Sequence, residues 1–273
     1  MAEPIDQPVD TTTPHPARRY NYWLGGKDNF APDRESADAI EAVYPHIRTA
    51  AVENRKFLQR AVRLLASQHG IRQFLDIGTG LPTADNTHEV AQAIDPACRI
   101  VYVDNDPLVL SHARALLTSD PSGRTAFIPA DLRHPEDILR HPDLAATINL
   151  GRPVAVMLVA VLHFLHDDDE AYGAVRTLMQ AMPPGSFLTL THATSDLMPP
   201  STVQAFSGGQ VKGSASFAGR TRAQVQRFFD DNHLQLADPG LTIVSDWRPD
   251  PGVTPPPPEN VSVYGGLAAK PGS

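Results

Sequence analysis

Three aspartates in this sequence each lie at or near the end of a short apolar segment, a placement that could build a ligand site. Asp76 comes two residues before the turn Gly78-Thr79-Gly80. Asp104 and Asp131 end the next two apolar segments. Open α/β sheets bind their ligands beyond the carboxyl ends of parallel strands. If the three segments are parallel strands, the three carboxylates meet at one edge of a sheet.

The carboxylate of Asp76 indicates which kind of ligand the glycine turn would bind. Glycines allow a sharp turn and let a ligand approach the backbone closely. An aspartate here would repel a diphosphate and attract an ammonium group. The third glycine of the dinucleotide pattern is also missing, since Leu81-Pro82-Thr83 follows Gly80. The pattern favours S-adenosylmethionine, which carries an ammonium group and no phosphate. A glycine turn without a ligand is the structural alternative.

Asp104 lies 26 residues after Gly78, where an acidic side chain can accept hydrogen bonds from both hydroxyls of a ribose. Asn105 continues the same turn and is expected to lie beside the cofactor. For Asp106, directly before Pro107, we expect the N-cap of the following helix.

Asp131 has two interpretations that the sequence leaves open. Its carboxylate could receive the adenine amino group while Leu132 packs on the ring. It could equally cap a helix that begins near Pro135. The registers of the first two motifs favour the ligand role.

Short apolar segments alternate with helical stretches from residue 71 onward. Strands are predicted at 73–77, 100–104, 126–129, 153–160, 186–192, 241–246 and 261–268, and helices at 87–94, 107–118, 135–140, 168–182 and 221–232. This alternation predicts an α/β fold with a mostly parallel sheet and helices on both faces. Only a Pro-rich loop, 248–260, joins the last two strands, so we expect them to pair antiparallel. Seven strands with an antiparallel last strand is the layout of Rossmann-like class I methyltransferases.

The chain is predicted to divide into three parts. Residues 1–16 are rich in Pro, Thr and Asp and are expected to be disordered. Residues 17–70 form an N-terminal arm and helices that cover the cofactor site, with Pro45 separating a first helix from a second at about 49–69. Residues 71–273 form the methyltransferase domain. The aromatic segment 18–30 could be a lid or could simply pack on the domain.

The methyl acceptor is expected beyond the fourth strand, where His163 is the candidate general base. The alternative is a histidine that forms hydrogen bonds near the cofactor without moving protons. The acidic run 167–170 favours a helix N-terminus over a metal site. His192 is a weaker acceptor-site candidate. His88 could contact the cofactor, although a local capping role is slightly favoured, and Thr83 is expected to be structural.

The carboxylate of the cofactor needs a cationic partner, for which Lys27, Arg18 and Arg55 are the candidates. The segment 199–220 contains several glycines and is predicted to be a mobile loop over the substrate.

Composition narrows the class of protein. The 273 residues carry a net charge of −8 without a basic cluster, which argues for a small-molecule acceptor and against nucleic acid. The single cysteine favours a reducing cytoplasm, and neither a signal peptide nor a membrane span is predicted. A homodimer is compatible with the sequence.

Several motifs together resemble a bacterial family of S-adenosylmethionine-dependent methyltransferase-like proteins that long carried no assigned function. The resemblance rests on segments spread over nearly the whole chain: 22–30, 54–58, 74–83, 86–90, 101–107, 112–117, 161–164 and 185–188. It implies the seven-stranded methyltransferase fold and cofactor binding, and it implies no particular substrate.

We therefore expect a methyltransferase acting on an oxygen or nitrogen of a small molecule. One alternative is a non-catalytic protein that binds S-adenosylmethionine or S-adenosylhomocysteine and regulates a partner. A less favoured alternative is an NAD-dependent oxidoreductase, against which Asp76 and the missing third glycine both argue.

Overall fold

A computed structural model describes residues 9–116, 119–207 and 218–272. Its centre is a mixed sheet whose strands are β1 (Gln73–Ile77), β2 (Arg99–Asp104), β3 (Arg124–Pro129), β4 (Ala155–Leu158), β5 (Phe187–Ala193), β6 (Gln235–Leu236), β7 (Thr242–Ile243) and β8 (Val263–Ala269). The strand order is β3-β2-β1-β4-β5-β8-β6, with β7 also paired to β8. The first five strands are parallel, and β8 runs antiparallel to its neighbours.

Ten α-helices surround the sheet in the part of the chain that is described. They are α1 (Pro16–Trp23), α2 (Ala31–Val43), α3 (Ile47–Ser67), α4 (Thr87–Gln92), α5 (Pro107–Leu116), α6 (Pro135–Arg140), α7 (Pro142–Thr147), α8 (Asp168–Ala181), α9 (Pro200–Ser207) and α10 (Arg222–Asp230). The predicted α/β architecture and the antiparallel pairing of the last two strands are confirmed.

The central strands form because their residues suit a sheet that is covered on both faces. All residues of β1 and β4 are buried, as in the near-continuous apolar strands of parallel sheets. The long helix α3 packs against α4 and β8. Its Phe57 meets Trp247 with ring centroids 4.9 Å apart, in an edge-to-face contact. This core holds the carboxyl ends of the strands in fixed positions.

The sheet has eight strands rather than the seven we predicted, because the edge strand is interrupted. The predicted strand 241–246 is only Thr242–Ile243, and Gln235–Leu236 forms a second short segment that the sequence analysis missed. Between them the chain turns, with Gly240 at φ +86° and its amide bonded to the carbonyl of Ala237 at 2.8 Å. Both segments pair with β8, so together they take the place of a single sixth strand.

Two N-terminal and loop predictions are corrected. Within the predicted disordered segment 1–16, residues 10–13 are exposed, but His15 caps α1, donates its backbone N–H to Asp33, and is followed by Pro16 as the first residue of the helix. Residues 1–8 lie outside the described part. The segment 199–220 is not loop throughout, because 200–207 is helix α9. The remainder of that prediction falls partly on 208–217, outside the described residues.

Candidate active site

A cavity of about 440 Å³ lies beyond the carboxyl ends of β1 to β4. Residues that follow these strands form one side, and α1, α2 and α3 form the other. Its volume is in the usual range of small-molecule sites. The structure brings most of the predicted site residues together on its lining: Arg55, Asp76, Gly78, Thr79, Gly80, Asp104, Asn105, Asp131, Leu132 and His163.

Asp76 is a buried carboxylate at the end of β1, only 4% exposed. Thr87 Oγ1, at the start of α4, donates a 2.6 Å hydrogen bond to its Oδ2. Burial raises the pKa of Asp76 to about 6, although the Thr87 hydrogen bond and the charge of Arg55 both act in the opposite direction. A buried carboxylate of this kind gains when a cation arrives beside it.

Asp104 ends β2 and holds the turns on either side of it. Its Oδ2 accepts a 2.9 Å hydrogen bond from the amide of Gly80, and its Oδ1 accepts one of 2.9 Å from the amide of Asp106. Burial raises the pKa of Asp104 to about 6 despite these hydrogen bonds. The next residue, Asn105, donates from Nδ2 to Asp131 Oδ2 at 3.0 Å.

Asp131 follows β3 and faces the cavity rather than a helix start. Burial acts to raise its pKa, but hydrogen bonds from Arg133 and Asn105 outweigh it and lower the pKa to about 2. The capping alternative is not observed, because the N-cap of α6 is His134. Leu132 is buried and lines the cavity beside Asp131.

The glycine turn needs glycine at its first position for two reasons. Gly78 has φ +72°, and a Cβ there would lie 2.3 Å from Cγ2 of Val161, three residues beyond the end of β4. Gly80 has φ +68° and open space where a Cβ would be. The glycines therefore bring the ends of β1 and β4 together and leave the backbone accessible from the cavity.

Thr83 and His88 have structural roles, as expected. The amide of Thr83 bonds to Asn86, the N-cap of α4. His88 is buried, with its Nδ1 2.9 Å from Tyr102 Oη, and it does not line the cavity.

Of the three predicted cationic partners, only Arg55 lines the cavity. One of its terminal nitrogens bonds to Asn86 Oδ1 at 2.9 Å, and its buried Nε has no hydrogen-bond partner among the described residues. Lys27 is exposed and lies outside the cavity lining. Arg18 is bound to Asp106 by hydrogen bonds of 3.0 and 3.1 Å.

Asp106 does more than cap α5. Its Oδ1 accepts from the amide of Leu108, which confirms the predicted N-cap. It also holds Arg18 and lies 3.2 Å from Nδ1 of His15, contacts that the sequence analysis missed. Arg18 and Asp106 are 88 residues apart, and no local pattern connects them.

His163 lies in the short 3₁₀ turn after β4 and lines the cavity. Burial lowers its pKa well below the ordinary value, and the neighbouring His192, Arg220 and Arg19 lower it further. His163 is therefore neutral at physiological pH, and its protonated form is strongly disfavoured.

His192, the weaker candidate, is corrected to a structural residue. Its Nδ1 lies 2.7 Å from the carbonyl of Ala193, and its Nε2 lies 2.9 Å from Arg220 Nη1. Because a carbonyl only accepts and a guanidinium only donates, Nδ1 carries the proton and Nε2 uses its lone pair on Arg220. Burial lowers the pKa of His192 to about 3.

The acidic run 167–170 begins α8, as predicted. Asp167 is the N-cap and accepts a 3.0 Å hydrogen bond from the amide of Glu170. Asp168 pairs with Arg220 at 2.9 Å.

The arm 18–30 contributes a wall of the cavity through α1, from which Arg19, Tyr20 and Trp23 line it. We use the term apolar wall for the lining residues Tyr20, Trp23, Ile40, Tyr44, Met198 and Phe206, which come from α1, α2, α9 and the segments beside them. Sequence reasoning also missed Asn54, a buried lining residue of α3 whose Nδ2 donates to Tyr20 Oη at 2.9 Å.

Sheet order and strand-end carboxylates define a class of protein, the class I methyltransferases. An O-methyltransferase family protein from Burkholderia thailandensis shares the fold, with a TM-score of 0.54 and 14% identity over 92% of this chain and 64% of that chain. A profile of the S-adenosyl methyltransferase family matches residues 2–271. The chain belongs to this family and is an S-adenosylmethionine-dependent methyltransferase.

Two crystal structures of bacterial proteins resemble this chain over almost their whole length. A DUF574 family protein from Streptomyces avermitilis has 41% identity and a TM-score of 0.89, over 97% of this chain and 100% of that chain. A candidate methyltransferase from Thermobifida fusca has 42% identity and a TM-score of 0.85, over 96% of this chain and 97% of that chain. No curated protein is significantly similar to the sequence. Among the described residues, no helix is both long and apolar enough to cross a bilayer.

Proposed function

We propose that this enzyme transfers the methyl group of S-adenosylmethionine to an oxygen or nitrogen atom of a small molecule inside the cavity. The observation that carries the proposal is the division of one cavity into two chemically different sides. Asp76, Asp104 and Asp131 lie at the strand ends, and the apolar wall faces them from the N-terminal helices and α9. Each side suits one of the two reactants.

The cofactor is assigned to the carboxylate side because each of its polar groups finds a complementary residue there. Asp76 attracts the ammonium group, and Arg55, with its unpaired Nε, attracts the carboxylate. Asp104 accepts hydrogen bonds from the ribose hydroxyls, and Gly78-Thr79-Gly80 allows close approach to the backbone. Asn105, Asp131 and Leu132 surround the adenine. Lys27 is left out of this assignment because it lies outside the cavity.

S-adenosylmethionine, when bound, supplies an electrophilic methyl group on a sulfonium. The chain's own residues contribute orientation and exclusion of water, which can supply much of the acceleration of such a displacement. The apolar wall positions the acceptor and keeps water out. His163 is assigned a positioning role, as a neutral group beside the reacting atoms, because its lowered pKa makes it a weak proton acceptor.

The enclosure of the cavity by α1 supports a small-molecule acceptor. α1 closes the cavity on one side and is held to the start of α5 by the ion pair between Arg18 and Asp106. A residue of a macromolecule would have less access to the strand ends on the side that this helix covers.

The test is S-adenosylhomocysteine formation from S-adenosylmethionine with three kinds of acceptor: a metabolite extract that passes a small-pore filter, total protein, and total RNA. Product formation confined to the filtrate is the expected result. Activity confined to protein or RNA would contradict the proposal. Tight S-adenosylhomocysteine binding without turnover on any acceptor would favour the regulatory alternative.

A further inference from the structure

The side chain of Asn54 carries a hydrogen-bond acceptor that no described residue uses. Asn54 lies on α3, is only 2% exposed and lines the cavity. Its Oδ1 is buried and has no hydrogen-bond partner among the described residues. A buried acceptor without a partner costs free energy, which an N–H or O–H group of a ligand can recover. Asn54 is therefore a candidate contact for one of the two reactants.

Tyr20, on α1, fixes which end of the Asn54 amide is left for a ligand. Tyr20 has one hydroxyl proton and donates it to the carbonyl of Ala51 at 3.0 Å, because a carbonyl can only accept. The hydroxyl oxygen of Tyr20 must then accept from Asn54, whose Nδ2 lies 2.9 Å away. The oxygen of the amide is therefore the atom that remains, and it requires a ligand group that donates.

The contacts of the next residue, Arg55, place this amide at the cofactor end of the cavity. Arg55 reaches the start of α4, where it bonds to Asn86 Oδ1 at 2.9 Å. Burial raises the pKa of both Asp76 and Tyr20, and the positive charge of Arg55 acts against each shift. Arg55 is thus close to Asp76 on one side and to Tyr20, the partner of Asn54, on the other. These are the residues around the proposed site of the amino-acid end of the cofactor.

The ammonium group of the cofactor needs more than one acceptor. It has three N–H donors, as a lysine side chain does. Asp76 was assigned to it, but one oxygen of that carboxylate already accepts from Thr87 at 2.6 Å. The carboxylate of the cofactor cannot use Asn54 Oδ1, because both groups are acceptors. The ammonium group is therefore the part of the amino-acid end that Asn54 complements.

We propose that Asn54 binds the cofactor by accepting a hydrogen bond from its ammonium group, and that Tyr20 is a positioning residue that holds the amide in the required orientation. The inference rests on the proposed function and adds one residue of α3 and one of α1 to the cofactor site. Because Tyr20 also belongs to the apolar wall, the N-terminal arm then contributes to the sites of both reactants.

Two ligands that differ only in the amino group test this contact. They are S-adenosylhomocysteine and its deaminated analogue, the same thioether with hydrogen in place of the amino group. Each is titrated into the protein by calorimetry at pH 7.5. The ratio of the two dissociation constants measures the preference for the ammonium group. A general disturbance of the cavity weakens both ligands and leaves this ratio unchanged.

Substitutions of Asn54 should change the ratio according to whether an oxygen acceptor remains. We expect the wild type to prefer S-adenosylhomocysteine about a hundredfold or more, and Asn54→Leu to lower this preference about tenfold, as for one hydrogen bond to a charged group. Asn54→Asp keeps an oxygen acceptor, so its preference should be no more than about threefold below that of the wild type. Thermal unfolding shows that each variant is folded, and Asn54→Ala replaces the leucine variant if that one is not.

The role of Tyr20 is tested with a matched pair of substitutions on α1. Tyr20→Phe removes the group that orients Asn54 and should lower the preference about threefold. Tyr22→Phe is the control and should leave the preference unchanged, because the Tyr22 hydroxyl bonds to exposed Asp38 and the residue does not line the cavity. Equal preferences in these two variants would contradict the role given to Tyr20.

A folded Asn54→Leu protein with the preference of the wild type overturns the proposal. An Asn54→Asp protein that loses as much of the preference as Asn54→Leu overturns it too, since the oxygen would then not be what matters. In either case, binding of S-adenosylhomocysteine to the wild type would leave the proposed function standing. A wild type that binds no S-adenosylhomocysteine would contradict the proposed function and this inference together.

Discussion

The amide of Gly80 donates a 2.9 Å hydrogen bond to the carboxylate of Asp104, which joins the end of β1 to the end of β2. The other oxygen of Asp104 accepts from the amide of Asp106, and the Asp106 carboxylate holds Arg18 on α1. One series of contacts therefore runs from the glycine turn to the N-terminal arm. The N-terminal arm is therefore connected to the proposed cofactor site by direct side-chain contacts.

The pair between Arg18 and Asp106 is expected to contribute strongly to stability. Both side chains are almost completely buried, and removal of one partner leaves an unpaired buried charge. We expect Arg18→Ala to lower the free energy of unfolding by about 3 kcal/mol or more in urea denaturation. Arg227→Ala, which breaks an exposed pair with Asp231, is the control and should cost less than about 1 kcal/mol. Equal effects of the two substitutions would refute this account of the arm.

Asp76→Asn is expected to stabilise the unliganded protein at pH 7.5 while weakening the binding of S-adenosylmethionine. Burial raises the pKa of Asp76 to about 6, from the 3.8 of an ordinary aspartate. The stability contributed by protonated Asp76 is therefore present below about pH 4 and is lost as the pH rises through about 6. The loss amounts to as much as about 3 kcal/mol, and the asparagine variant avoids it while still accepting from Thr87.

Urea unfolding at pH 7.5 and pH 5 measures this effect. The wild type should gain more stability on acidification than the variant does. Calorimetry at pH 7.5 should show at least about tenfold weaker cofactor binding in the variant. A variant that is less stable than the wild type at pH 7.5, or that binds S-adenosylmethionine normally, would disprove the role given to this carboxylate.

Gly78→Ala should be far more damaging than Gly70→Ala. Both glycines have positive φ, +72° and +63°, so each substitution carries the cost of a left-handed backbone, about 1–2 kcal/mol. Only the Cβ at Gly78 would meet a neighbour, Val161 Cγ2 at 2.3 Å. We expect the first variant to lose at least about 2 kcal/mol more than the second in urea unfolding. Similar losses would show that the close approach of Val161 is not the reason for glycine at this position.

The sequence predicts the first half of the sheet well because its strands are continuous apolar segments between clear turns. β1 lies where we predicted it, and β2 differs by one residue. The clustering of the three carboxylates is predictable once the strands are known, because parallel strands bring their carboxyl ends to one edge of the sheet. By contrast, the interrupted edge strand consists of two segments, β6 and β7, of two residues each. Segments this short show almost no alternation of apolar and polar residues that the sequence could reveal.

Contacts between residues that are far apart in the sequence could not be predicted, because sequence patterns report only local structure. Arg18, Lys27 and Arg55 were equivalent candidates in sequence, and only the packing of α1 and α3 distinguishes them. Helix α9 was missed because the glycines that follow it made the whole segment resemble a loop, although Pro200 at its first position is a usual helix start. The sequence likewise gives no sign that the indole N–H of Trp23 is buried.

The most direct test of the central claim is a calorimetric titration of the wild type and Asp104→Ala with S-adenosylhomocysteine at pH 7.5. Loss of two hydrogen bonds to a charged group, each contributing about 1.5–3 kcal/mol, should weaken binding at least about a hundredfold. Asp169→Asn, on the exposed first turn of α8, is the control and should bind like the wild type. Wild-type affinity in a folded Asp104→Ala protein would contradict the placement of the cofactor at the strand ends.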